Sequence, residues 1–345
     1  MIDVKTNSLR AWLLAARPKT LTAAAVPVMI GIAFAIRQTW ILKDTWVTLE
    51  PEGMIYTGME IERVFVDGKF HWIPAVLCLL FAWVMQIDSN LVNDYFDFKK
   101  GSDDRETRLG PPRACSEGWV TLRAMKWAIG ITTALGCIIG FPLIYYGGME
   151  MVLVGIACVV FCFLYTTTLS YHGLGDVLVL MFFGIVPVCC TYYVCMPDRV
   201  QMPTHEVFAA SVACGMVIDT LLMVNNFRDR GNDRKSGKTT LVVMMGTQNS
   251  KWLYLHLGYF GMLMMALMNY LDLTDRGFYP PIFLIFGVYA WLHYKAYREM
   301  SRINRGEELN KVLGMTARNI FIFGITCVIS ILSMMLFCEP PTPLY

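Results

Sequence analysis

Four aspartates, Asp94, Asp97, Asp103 and Asp104, fall within residues 93–113 (NDYFDFKKGSDDRETRLGPPR), beside Lys99, Lys100, Arg105, Arg108 and Arg113 and a Gly-Pro-Pro turn. An apolar run precedes them. If the segment leaves that run as a helix, Asn93 and Asp97 stand at i and i+4 and Asp94 and Asp97 at i and i+3, so all three share one face. Like charges this close repel, and something positive is expected between them. Oxygen ligands in an open, partly hydrated site favour Mg²⁺ bridging protein carboxylates to a substrate phosphate, with the flanking cations on the anion's other oxygens. Taken alone, the stretch could equally be a solvated, charge-rich loop.

A second copy weighs against that. Residues 225–238 (NNFRDRGNDRKSGK) again end an apolar run and place Asp229 and Asp233 at i and i+4 among Arg228, Arg230, Arg234, Lys235 and Lys238. Two such ends can face each other across one cavity.

The elements that must position these groups are membrane helices. With 56% hydrophobic residues among 345, the chain is too apolar for an ordinary soluble enzyme. Nine runs are long enough to span a bilayer: 20–36, 70–87, 127–149, 151–168, 177–197, 207–227, 252–271, 277–294 and 319–338. The expectation is an all-α bundle of nine transmembrane helices in one domain over 1–345. An insert at 38–71 outside the membrane would form a hairpin or a surface helix. With the N-terminus inside, Arg37, Lys43, Arg63, Lys69, Arg199 and Arg276 fall outside and every other Lys and Arg inside. This puts both aspartate motifs on the cytoplasmic side and the C-terminus outside. The eleven cysteines lie mostly in apolar runs and read as small packing residues, and no cleavable leader or nucleic-acid motif is evident.

The motif pair resembles the two aspartate-rich motifs of the UbiA superfamily of intramembrane prenyltransferases. Within it, NDYFD followed by KKGSD, RLGPPRA and NNFRDRGNDRKSGKTTL are most similar to the 1,4-dihydroxy-2-naphthoate polyprenyltransferase branch of menaquinone synthesis. The resemblance starts near ARPKT at 16–20 and covers most of the chain. It implies a Mg²⁺-dependent enzyme of a bacterial plasma membrane, moving a polyprenyl chain from its diphosphate to the naphthoate with loss of CO₂. It implies no protein or nucleic-acid partner. Carried over residue by residue, it gives Asn93, Asp94, Asp97, Asp103, Asp229 and Asp233 to metal, and Asp94, Asp97, Asp229 and Asp233 also to catalysis. Asn93, Arg17 and Arg228 go to the diphosphate, as do Arg113 and Lys238, near which the Gly110-Pro111-Pro112 turn and Gly237 fix the backbone. Asp103 departs from the common superfamily spacing, in which the aspartate falls at the place of Gly101.

On the acceptor side, YTTTLSYHGLGD (165–176) carries Tyr165, Tyr171, His172 and Asp176, without the Lys that several superfamily members supply there. Asp176 is a candidate catalytic group that would orient the acceptor or take a proton; its alternative is a helix N-cap. Asp219, inside the sixth run, is either functional or a carboxylic acid bonded between helices. Two rival functions remain: prenyl transfer to another aromatic acceptor such as 4-hydroxybenzoate or homogentisate, and ion-coupled transport, for which carboxylates near the bilayer centre would be expected.

Overall fold

A computed structural model describes residues 4–42, 45–49, 62–66, 69–101, 108–197, 201–275 and 284–337. The chain opens with α1 (Leu9–Ala16), whose N-terminus is capped by the Ser8 hydroxyl accepting from the Ala11 amide at 3.3 Å. Arg17 (φ 51°) and Pro18 turn the backbone into α2 (Leu21–Ile41). Left-handed backbone at an arginine is uncommon, and here it aims the side chain toward the charged end of the bundle.

Then follow α3 (Trp72–Lys99), α4 (Leu122–Gly140), the short α5 (Leu143–Gly147), α6 (Glu150–Thr167) and α7 (Gly175–Leu180). A π turn over Met181–Ile185 leads into α8 (Val186–Cys195). The chain continues through α9 (His205–Lys235), α10 (Leu241–Asp275), α11 (Phe286–Ile303) and α12 (Leu309–Phe337). The π turn has a local cause: Pro187 has no N–H for the Phe183 carbonyl, and the Cys214 thiol donates to that oxygen instead, at 3.9 Å.

Among the described residues, seven helices are long and apolar enough to cross a membrane. The expected seventh span falls within α10, where His256, Asn269 and several tyrosines dilute its apolarity. The eighth overlaps α11, which ends in Arg298, Glu299 and Arg302, and part of it lies outside the described residues. The number nine is therefore not reached on these criteria. The third expected span is broken after α4, and α5 starts beyond Pro142. Within the 38–71 insert, β1 (Thr45–Leu49) pairs antiparallel with β2 (Glu62–Val66), Thr45 opposite Val66; the rest of the insert lies outside the described residues.

Helix α9 is the axis of the bundle, packed by α2, α7, α8, α10 and α12. Glycines let it approach its neighbours: a Cβ on Gly184 would stand 2.6 Å from the Ser211 carbonyl oxygen and 2.7 Å from Gly215 Cα. The opposite solution holds on the rim, where Trp127, Ile131, Leu135 and Ile138 of α4 and Leu153, Ile156 and Val160 of α6 point outward. Such a belt belongs in hydrocarbon; this is an integral membrane protein.

Candidate active site

Helix α3 presents a polar stripe at helical spacing: Gln86, Asn90, Asn93, Asp97 and Lys100. Asn90 fixes the entrance of α2 by donating to the Ala16 carbonyl at 3.0 Å and to the Thr20 hydroxyl at 2.9 Å. That bond pair sets Arg17 beside the stripe. Asn93 accepts from the Thr166 hydroxyl at the end of α6. Asp97 lies 3.8 Å from the Arg113 guanidinium, and Lys238, Arg17, Arg108 and Lys100 all act on its charge.

Asp94 has different surroundings. It stands at the edge of the stripe, about 100° round the helix from Asn93, and is buried. Its two oxygens accept from the amides of Ala114 (2.9 Å) and Cys115 (3.0 Å). The carboxylate thereby folds the turn after Pro112 back onto α3 and holds Arg113 near Asp97. Burial and the Asp94 charge push the Cys115 thiol up, which keeps it protonated.

The second motif occupies the last turns of α9. Arg228 grips Asp229 with two nitrogens, at 2.8 and 2.5 Å, and donates to the side-chain carbonyls of Asn225 and Asn310, each at 2.8 Å. Asn310, on α12, in turn donates to the Leu109 carbonyl at 2.8 Å, tying the loop after the first motif to the second. Gly110 lets the two guanidinium groups close in: a Cβ would meet Arg228 Nη2 at 2.8 Å and Arg108 Nη2 at 3.0 Å and displace those side-chain ends. Gly237 (φ 74°) ends the helix, so that the Lys238 amide returns to the Asp233 carbonyl at 2.8 Å and its ammonium lies 3.7 Å from the Asp233 carboxylate. Asp233 Oδ2 is buried without a hydrogen-bond partner.

The loop after α6 closes the cluster. The Tyr171 carbonyl accepts from the Thr239 amide at 3.0 Å, and the Tyr171 ring lies 4.0 Å from Lys100 Nζ and 5.7 Å from Lys238 Nζ. Lys100 also donates to the carbonyls of Thr166 (3.2 Å) and Thr167 (2.5 Å), so a cation from the first motif stands against the loop that lacks its own. His172 is exposed and bonds its local Thr168 carbonyl at 2.8 Å. A cleft remains between loop and second motif, lined by Tyr165, Ser170, Asp176, Asn226, Lys238 and Thr240 among others. Asp103 lies outside the described residues.

The sequence reading passed over Asn90, Thr166 and Asn310. Asn90 could have been found, because it recurs on the Asn93 stripe; Asn310 carries no local signal, as its partners are far away in sequence.

Electrostatically, burial lowers the Arg108 guanidinium to about 10, against the opposing pull of Asp229, and it stays charged at neutral pH. Burial also lowers Lys100, with Asp97 opposing. No three His, Cys, Asp or Glu side chains among the described residues converge on one ion. Asp97 on one side and Asp229 and Asp233 on the other are hard oxygen donors, and Asp233 Oδ2 lacks a partner. This donor set fits an ion that completes its shell with phosphate oxygens and water, not an all-protein cage.

The chain is similar to known proteins in both sequence and fold. The UbiA prenyltransferase family model matches residues 65–309. A 1,4-dihydroxy-2-naphthoate octaprenyltransferase of Escherichia coli (strain K12) is 32% identical over 264 residues, covering 73% of each chain. The apo structure of a UbiA homolog from Aeropyrum pernix K1 superposes with a TM-score of 0.58 at 13% identity, covering 88% of this chain and 97% of the other. A UbiA homolog from Archaeoglobus fulgidus bound to DMAPP and Mg²⁺ gives 0.54 at 12% identity, covering 92% and 98%.

Proposed function

Because the chain belongs to the UbiA prenyltransferase family, we propose that it moves a polyprenyl chain from polyprenyl diphosphate onto 1,4-dihydroxy-2-naphthoate, displacing the carboxylate as CO₂ and giving demethylmenaquinol. The acceptor is the one named for the Escherichia coli relative. One observation carries the reading: Asp97 of the first motif and Asp229 and Asp233 of the second meet at one end of the bundle among Arg17, Arg108, Arg113, Arg228 and Lys238. The cations crowding these carboxylates fit a diphosphate headgroup better than a coupling-ion site near the bilayer centre.

Breaking an allylic C–O bond leaves a diphosphate carrying several negative charges, and fixed cations in a site poor in water stabilise that charge as it develops. Arg17, Arg113 and Lys238 supply it here, with Arg228 and Asn310 holding the second motif in place. Asp97, Asp229 and Asp233, with Asn93 and Asp103, are the groups that would hold Mg²⁺, which when bound neutralises the leaving diphosphate. Asp94 serves by holding Arg113. Ring faces such as Tyr171 shield the allylic cation. The dense Lys and Arg content of this end supports a cytoplasmic site, with the whole chain acting as one domain.

Membranes containing the chain should incorporate labelled polyprenyl diphosphate into lipid with dihydroxynaphthoate and Mg²⁺, and not with chelator. Product from 4-hydroxybenzoate alone would keep the metal and diphosphate chemistry and overturn the acceptor. Transport without product would overturn the class.

A further inference from the structure

Deeper in the bundle lies a second pair of carboxylates that the diphosphate chemistry does not use. Asp219 is 5% exposed, and its Oδ1 is buried without a hydrogen-bond partner. Asp176 Oδ1 is in the same condition. The two carboxylates are close enough to act on each other's charge, and both act on the Tyr165 phenol. Gly175, next to Asp176, packs against that ring, where a Cβ would stand 3.9 Å from the Tyr165 hydroxyl, an ordinary contact.

The pair is continuous with the site above it. Asp219, Asn226 and Asp233 recur every seven residues on one face of α9, so Asp219 sits about 10 Å along the axis from Asn226. Tyr165, Asp176, Asn226 and Lys238 line the cleft at that level.

Asp88 shows what a purely structural carboxylate looks like in this bundle. It is fully buried in α3, and the hydroxyls of Thr132 and Thr133 donate to its two oxygens, clasping α4. Asp219 and Asp176 each keep an oxygen without a donor. In apolar surroundings that is costly unless a ligand brings the donor.

We propose that Asp219 and Asp176 together take the hydrogen bond of the acceptor's 4-hydroxyl. The ring lies along Tyr165, and its carboxylate is turned toward Lys238. A phenolic hydroxyl is a neutral donor, and Lys238 faces the same cleft from the diphosphate side. The acceptor is thus held between the two motifs and the deep pair, with its reacting carbon toward the allylic end of the donor. This rests on the acceptor reading above.

The test uses the full chain in liposomes with polyprenyl diphosphate and Mg²⁺, offering 1,4-dihydroxy-2-naphthoate or 1-hydroxy-2-naphthoate over a range of concentrations. Leaving a buried hydroxyl without its acceptor costs about tenfold to a hundredfold in binding. Asp219→Asn should raise KM for the dihydroxy acceptor by that factor and shrink the preference for it over the monohydroxy one, leaving KM for polyprenyl diphosphate unchanged. Comparing variant with wild type cancels the intrinsic reactivity of the two rings. An unchanged preference, or an equal loss of kcat with both acceptors, overturns the inference. If Asp219→Asn does not fold, Asp176→Asn takes its place in the same comparison. Wild type inactive with both naphthoates would overturn the acceptor reading itself, and this inference with it.

Discussion

Two aspartates three residues apart in α3 answer to different physics. Asp94 is buried against two backbone amides, whereas Asp97 is partly exposed among cations at a charged mouth. Asp94→Asn would turn an amide N–H₂ toward at least one of those backbone donors and leave a buried donor unsatisfied. We expect a loss of about 1–3 kcal/mol in stability, read by thermal unfolding in detergent, with activity falling in step as Arg113 loses its place. Asp97→Asn should leave the melting temperature within a degree or two and lower kcat by about a hundredfold or more, the scale for removing one electrostatic contact from a reacting centre. If both variants lose activity at unchanged stability, Asp94 is a ligand and not an anchor. Such a division cannot be read from spacing, because both residues sit within one turn of Asn93. It depends on where the chain goes after Pro112.

At the scale of elements, helices that must come within backbone distance carry glycine where they cross, and helices that face lipid carry bulk. Gly184 and Gly215 sit at the crossing of the π turn with α9, whereas Gly130, on α4, has open space where a side chain would stand. Gly184→Ala should overpack this crossing at a cost of about 1–3 kcal/mol. Gly130→Ala should instead gain about 0.5–1 kcal/mol by restricting the unfolded chain and favouring helix. Unfolding in a mild detergent reads both. Equal effects would show that the close crossing is not maintained in solution. The glycines are visible in the sequence, but which of them meets a neighbour is not, since the same residue serves a crossing in one helix and an open rim in another.

For the whole molecule, α3 and α9 run so that both motifs and Arg17 gather at one end, while Arg37 and Glu206 pair at the other. By the positive-inside rule we propose that the motif end faces the cytoplasm. In right-side-out vesicles an impermeant maleimide should label Tyr145→Cys and spare Lys235→Cys, and in inverted vesicles the pattern should reverse. The opposite labelling would turn the orientation over. The sequence by itself determined the membrane class, the two motifs and their meeting at one end, because each follows from local periodicity and from an even number of crossings between the motifs. The count of helices was less legible, because α10 and α11 mix polar and apolar residues in the same turns. Only the tertiary structure decided that Asp94 anchors a turn, that Asn310 bridges both motifs and that Asp219 comes near enough to Asp176 to feel its charge. Those contacts join residues far apart in the chain, and no spacing along one helix reports what another helix brings against it.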